Sequence, residues 1–280
     1  MDTAELLKQR KRTRAIAELF SHELHGYLQA AAPLINPRTV FGEHIHGAPR
    51  GASAQGGKAL SALRSAYEGL RNGQPFNLRQ HFDTPIEHAA DDYLLCLEKV
   101  YPYADYITVN ISSPNTQNLR DLQGEDALDR LLGALSGRRE ELADETGRRV
   151  PMALKVAPDL EEGAVPAIAD VVAHHGMDAV IATNTTIDRS AVAGMKHAGE
   201  GGGLSGAPLK ERADRVLGEL RRALPAEIAM IGVGGITRGE DAVDKLKLGA
   251  DLVQFYTGMV YRGPELVGEC LRAIADWRAE

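Results

Sequence analysis

Cysteine is scarce in this sequence: Cys96 and Cys270 are the only two in 280 residues. Two cysteines cannot build a disulfide framework. Both sit in helix-like text, DYLLCLEKV and LVGECLRAI, where they read as small buried apolar residues. Aromatics are few as well, at 5% with a single tryptophan. No apolar run reaches the roughly 18 residues that a membrane-spanning helix needs. Positive charge does not prevail either. The net charge is −7 and the isoelectric point near 5.8, which excludes a broad cationic surface for nucleic acid. No secretory signal opens the chain, because the basic stretch from Lys8 to Arg14 is not followed by an apolar core segment. The expected compartment is the cytosol. A metal constellation is also missing from the text. His44 and His46 have no third ligand at useful spacing, and His174 and His175, ending a helix, are expected to be solvated.

What is present is alternation. From about residue 86 onward, strand-like runs at 106–112, 151–157, 179–185, 229–235 and 252–258 are separated by helical text. A helix is predicted over 84–104, with Thr84 as its N-cap and Pro85 at its first position. The strand runs are apolar throughout, as in parallel strands buried on both faces. The length fits one large α/β domain. A (β/α)8 barrel and a doubly wound sheet both satisfy this pattern.

The first 85 residues break the rhythm. Residues 3–30 read as one or two helices with an apolar stripe of Leu6, Leu7, Ile16, Leu19, Phe20, Leu24 and Leu28. Residues 31–60 are rich in glycine, alanine and proline and hold no convincing strand. Residues 76–78, FNL, are at best a short one.

Chemistry gathers where each strand run ends. The first closes on Asn110, Ser112, Ser113, Asn115 and Thr116, and the second carries Lys155 in an otherwise apolar run. The third closes on Thr183, Asn184, Thr185 and Thr186, the fourth on Gly232, Gly234 and Gly235, and the fifth on Tyr256, Thr257 and Gly258. A lone lysine on a strand is usually a rim residue, and a lone GVGG is usually a tight turn. Five consecutive strands obeying one rule point instead to a site at the C-terminal ends of the strands. The last two loops are glycine-rich and run into helices, which suits a phosphate. A further stretch, GEGGGLSGAPL at 199–209, either covers a ligand or is a flexible connection. The asparagines carry paired donors and acceptors for a planar amide or imide ring. Lys155 supplies positive charge where anionic charge would develop.

At these residues the sequence resembles the dihydroorotate dehydrogenase family, in its quinone-dependent class 2 branch. NISSPNTQNLRDLQ resembles the family's signature loop. LKVAPDL, IATNTTIDR, GGLSGAPL, IGVGGI and LVQFYTG follow in the family's order. The resemblance covers residues 76–280. It implies an FMN-containing (β/α)8 barrel that oxidises dihydroorotate to orotate in pyrimidine synthesis, with a quinone as electron acceptor.

The resemblance also implies roles. Ser113 matches the class 2 catalytic base, where class 1 has cysteine. Asn110 would touch flavin and substrate, and Asn115, Asn184 and Thr185 would hold the orotate ring. Lys155 would balance negative charge on the reduced flavin. Thr183, Gly206, Gly235, Tyr256 and Thr257 would bind FMN, the later ones around its phosphate. Asn77 falls where the family has an FMN-contacting asparagine. Class 2 relatives use N-terminal helices to lie on a membrane. Residues 3–30 suit such a peripheral seat on the cytoplasmic face of the inner membrane, or a soluble helix covering the barrel.

Residues 1–75 depart from the family. They lack its glycine-rich turn with a substrate-binding lysine, its threonine near the flavin, and its Asn-Arg-Met-Gly-Phe loop. The expected fold is therefore a TIM barrel altered in its first two to three strands. An atypical segment, 1–75, would precede an FMN-binding portion, 76–280. Three readings stand at this point: an active enzyme, a catalytically impaired remnant, and a flavin barrel acting on a related pyrimidine.

Overall fold

The computed structural model describes residues 88–112 and 119–280. The chain divides into two units after Phe76, and the described residues belong to the second. Their strands are β1 (Ile107–Asn110), β2 (Met152–Val156), β3 (Ala179–Ala182), β4 (Ala229–Val233) and β5 (Leu252–Gln254). All pair in parallel, in the order β1-β2-β3-β4-β5. A doubly wound sheet reverses its strand order at a switch point. This sheet has no reversal, so its order is that of an arc of barrel. The expected alteration of the first two to three strands falls on residues outside the described ones.

Between the strands lie α1 (Ala89–Val100), α2 (Glu125–Thr146), α3 (Ala164–His174), α4 (Lys210–Ala223) and α5 (Gly239–Lys247). After β5 come α6 (Thr257–Arg262) and α7 (Glu265–Ala279). Each helix from α1 to α4 packs on the next, so the four share one face of the sheet. In α2 the buried residues Leu128, Leu131, Leu132 and Leu135 recur at helical spacing, and Glu125 and Asp126 lie in the positive first turn. Gly147 stops the helix in the left-handed region at φ 68°, where a side chain would be strained. The α4 helix stops at Leu224, which precedes a proline and takes ψ 144°. The α1 helix is described from Ala89, with His88 in the N-cap position; its expected start at Thr84 and Pro85 lies outside the described residues.

The two faces of the sheet differ. The helix-facing side chains Met152, Leu154, Val156, Val180, Ala182 and Met230 join the leucines of α2 in the main core. Burying one such leucine contributes about 2 kcal/mol. The inner face carries a smaller cluster of Ala153, Ile181 and Ile231. One inner row runs in register across the strands: Asn110, Lys155, Ile181, Ile231 and Leu252. Its polar members are the two at the β1 side.

Candidate functional site

The site forms where β1, β2 and β3 run out. Asn110 ends β1 and stands beside Lys155 of β2 in register. Oδ1 of Asn110 accepts from the Ser112 amide at 3.3 Å and from Nδ2 of Asn184 at 3.1 Å. The Ser112 hydroxyl donates to the Lys155 carbonyl at 2.8 Å and accepts from Nδ2 of Asn184 at 3.1 Å. Oδ1 of Asn184 accepts from the Thr185 amide at 2.9 Å. Tyr93 of α1 donates to the Asn110 carbonyl at 2.6 Å, and burial raises its phenol above the usual range. One network thus fixes both asparagines.

Several donors are left unspent. Among the described residues nothing accepts from Nδ2 of Asn110, from Nζ of Lys155 or from the Thr185 hydroxyl. Lys155 is half-buried in a strand with neighbours on both sides, so it is no edge residue. Burial holds its ammonium below the usual lysine range, and no carboxylate pairs with it among the described residues. Thr183 is buried; its hydroxyl donates to the Asn184 carbonyl at 2.9 Å and its amide to the Val233 carbonyl at 3.1 Å. Donors and one cation converging on an inner face can bind an acceptor-rich planar ring and an adjacent negative charge.

A second part lies at the later loops. A pocket of about 600 Å³ is lined by Gly203 to Pro208 with Thr237, Arg238, Thr257 and Arg262. Thr257 donates to the Ser205 hydroxyl at 2.8 Å. An added Cβ at Gly206 would sit 3.1 Å from Cγ2 of Thr257. Gly235 is buried at φ 78°, and a Cβ there would lie 2.4 Å from Cα of Lys210. Glycine is what lets these backbones close up. Tyr256, by contrast, is 82% exposed.

Of the residues expected from the sequence, Asn110, Lys155, Asn184 and Thr185 come together, with Thr183 beneath them. Gly206 meets Thr257 in the pocket, while Gly235 packs behind it. Ser113, Asn115 and Asn77 lie outside the described residues, as do residues 3–30. Sequence reasoning gave no role to Ser112, Tyr93, Arg120 or Asp159. Ser112 and Arg120 sat inside the quoted signature loop and Asp159 inside the quoted LKVAPDL; Tyr93 carried no local signal.

One expectation about histidine fails. His175 does not extend into solvent: its side chain is 14% exposed, its ring packs on Gly133, and Nε2 lies 2.8 Å from Oδ1 of Asp129. The neighbouring turn of α2 covers it. With His174, these residues form the one grouping of metal-ligating side chains found among the described residues, on the helical layer away from the site. No described helix is long and apolar enough to cross a membrane.

The family model described as Dihydroorotate dehydrogenase matches residues 76–277. The chain is 59% identical over 202 residues to the dihydroorotate dehydrogenase (quinone) of Acidovorax sp. (strain JS42), covering 72% of this chain and 58% of that protein. It is 56% identical over 222 residues to the protein of that name from Burkholderia multivorans, covering 79% and 63%. The crystal structure of the Eimeria tenella DHODH in complex with ferulenol superposes with a TM-score of 0.62 at 35% identity, over 67% of this chain and 55% of that one. The chain thus spans less than two thirds of the length of these relatives. It belongs to the dihydroorotate dehydrogenase family.

Proposed function

We propose that this chain oxidises dihydroorotate to orotate with FMN as cofactor and passes the electrons to a quinone, residues 76–280 forming the flavin-binding portion. The family is flavin-dependent in general. The observation that carries the reading is the in-register pair of Asn110 and Lys155, whose side-chain donors meet no acceptor among the described residues. A flavin ring edge and an orotate ring are both rich in carbonyl acceptors, and this donor set fits them. The glycines at 206 and 235, with Thr257, Arg238 and Arg262 nearby, fit a phosphate. When bound, FMN supplies the acceptor for the hydride that leaves dihydroorotate.

The residues of the chain do the rest. Asn110 would contact both flavin and substrate through its amide Nδ2, which meets no acceptor among the described residues. Asn184 and Thr185, with Asn115, orient the substrate ring. Lys155 fixes positive charge where negative charge accumulates. Ser113 takes the proton from the substrate carbon, with a water or neighbour relaying it, since a bare hydroxyl is a weak base. The basic, amphipathic text of residues 3–30 supports a peripheral membrane contact on the cytoplasmic face of the inner membrane, where quinone is reached.

The test is Ser113→Ala in the FMN-loaded chain. Dihydroorotate oxidation should fall by about 10³-fold while orotate still binds. Unchanged turnover would remove Ser113 as the base.

A further inference from the structure

We propose that Arg120, paired with Asp159, is a positioning residue: its guanidinium locks the loops after β1, β2 and β3 together and so sets the geometry of Asn110 and Asn184. The kinetic part of this inference rests on the function proposed above; the structural part does not.

Arg120 lies in the short 3-10 turn Leu119–Gln123, before α2. Its three kinds of donor go to three different loops. Nη1 bonds Oδ2 of Asp159 at 2.9 Å, after β2. Nη2 donates to the Thr185 carbonyl at 2.9 Å, after β3. Nε donates to the Ser112 carbonyl at 3.3 Å, after β1. The two side chains are only 19% and 14% exposed, so the pair is largely shielded from water. Asp159 completes the knot by accepting from the Thr186 hydroxyl at 2.5 Å and the Ile187 amide at 2.9 Å. Gln123, from the same turn, accepts from the Ala157 amide at 2.9 Å.

The carbonyls that Arg120 holds belong to particular residues. Ser112 is the residue whose hydroxyl accepts from Asn184, and Thr185 is the residue whose amide donates to Asn184. Arg120 therefore grips the backbone on both sides of the Asn184 amide while touching neither asparagine. A planar guanidinium fork can serve three acceptors at once in fixed directions; an ammonium is a point charge and cannot. Removing Arg120 does not strand Asp159, because Nη1 of Arg212 stands 3.6 Å from its other oxygen. Loss of the fork should thus disturb geometry more than folding.

The experiment compares Arg120→Lys and Arg120→Met with the unaltered FMN-loaded chain. Both variants should keep bound flavin and a near-native melting temperature. Their kcat on dihydroorotate should fall about 100-fold, the cost of misplacing reacting groups by about 1 Å. Lysine should not rescue, although it keeps the charge. Independently, amide hydrogen exchange should rise together in 108–112 and 183–187 and stay unchanged in β4. Rescue by lysine, or faster exchange confined to 119–123, would overturn the proposal. If the unaltered chain does not oxidise dihydroorotate, the functional reading fails, and the exchange result alone decides the positioning role.

Discussion

Nδ2 of Asn184 donates to Oδ1 of Asn110 at 3.1 Å, joining the ends of β3 and β1 across 74 positions of chain. The bond spends the acceptor of Asn110, while its Nδ2 meets no acceptor among the described residues. Each amide therefore orients the other.

Asn184→Ala tests that coupling. It removes the donations to Asn110 and Ser112 together. Orotate should bind about 30-fold more weakly, equivalent to about 2 kcal/mol. Titration of the flavin absorption spectrum with orotate reads the change; an unaltered dissociation constant would rule out the substrate role of Asn184.

Lys155 gives a pH prediction. Burial lowers its folded pKa below the ordinary value of 10.5. Between the folded and unfolded values the unfolded chain binds the extra proton, so stability rises with pH across that window. At neutral pH the charged lysine opposes folding. Lys155→Met should therefore raise the melting temperature by a few degrees and flatten that pH dependence. It should also lower the flavin reduction potential. A melting temperature that drops in the methionine variant would contradict the sign.

The glycine at 235 should be intolerant of a side chain. Gly235→Ala places a methyl against the Lys210 backbone at φ 78° and should cost about 3 kcal/mol. Gly201 has nothing within 4 Å of an added Cβ, so Gly201→Ala should be close to neutral. Urea unfolding of both variants makes the comparison, and equal midpoints would show that the Gly235 backbone yields.

Behind that loop, Lys245 is fully buried and donates to Oδ1 of Asp214 at 2.7 Å, while Lys210 bonds the other oxygen at 2.8 Å. The two ends of this network should not be equivalent. Lys245→Met leaves Asp214 with Lys210 and should cost under about 1.5 kcal/mol. Asp214→Asn removes the carboxylate charge paired with a buried ammonium and should cost about 3 kcal/mol. Matching unfolding free energies for the two variants would refute the asymmetry.

Much of this architecture could be read from the text because parallel strands buried on both faces are apolar runs. The five runs at 106–112, 151–157, 179–185, 229–235 and 252–258 each contain a strand. The strands stop earlier than the runs. At β3 the ladder already breaks up after Ala182, although the Thr183 and Asn184 amides still reach Val233 and Val156. Asn110, Lys155 and Asn184 were legible because polar groups at strand ends contradict an apolar pattern. The knot of Arg120, Asp159 and Thr185 was not, since its members are 39 and 65 positions apart and obey no period. His175 was misread for the same reason: its cover comes from α2, 46 positions away.

The proposed reaction is oxidation of dihydroorotate through a bound flavin. The most direct measurement is to load the purified chain with FMN, remove oxygen, add dihydroorotate and follow the flavin absorption. The bound flavin should bleach with one orotate formed per flavin, and the colour should return on adding a soluble quinone. Bound flavin that keeps its full absorption in excess dihydroorotate would contradict it.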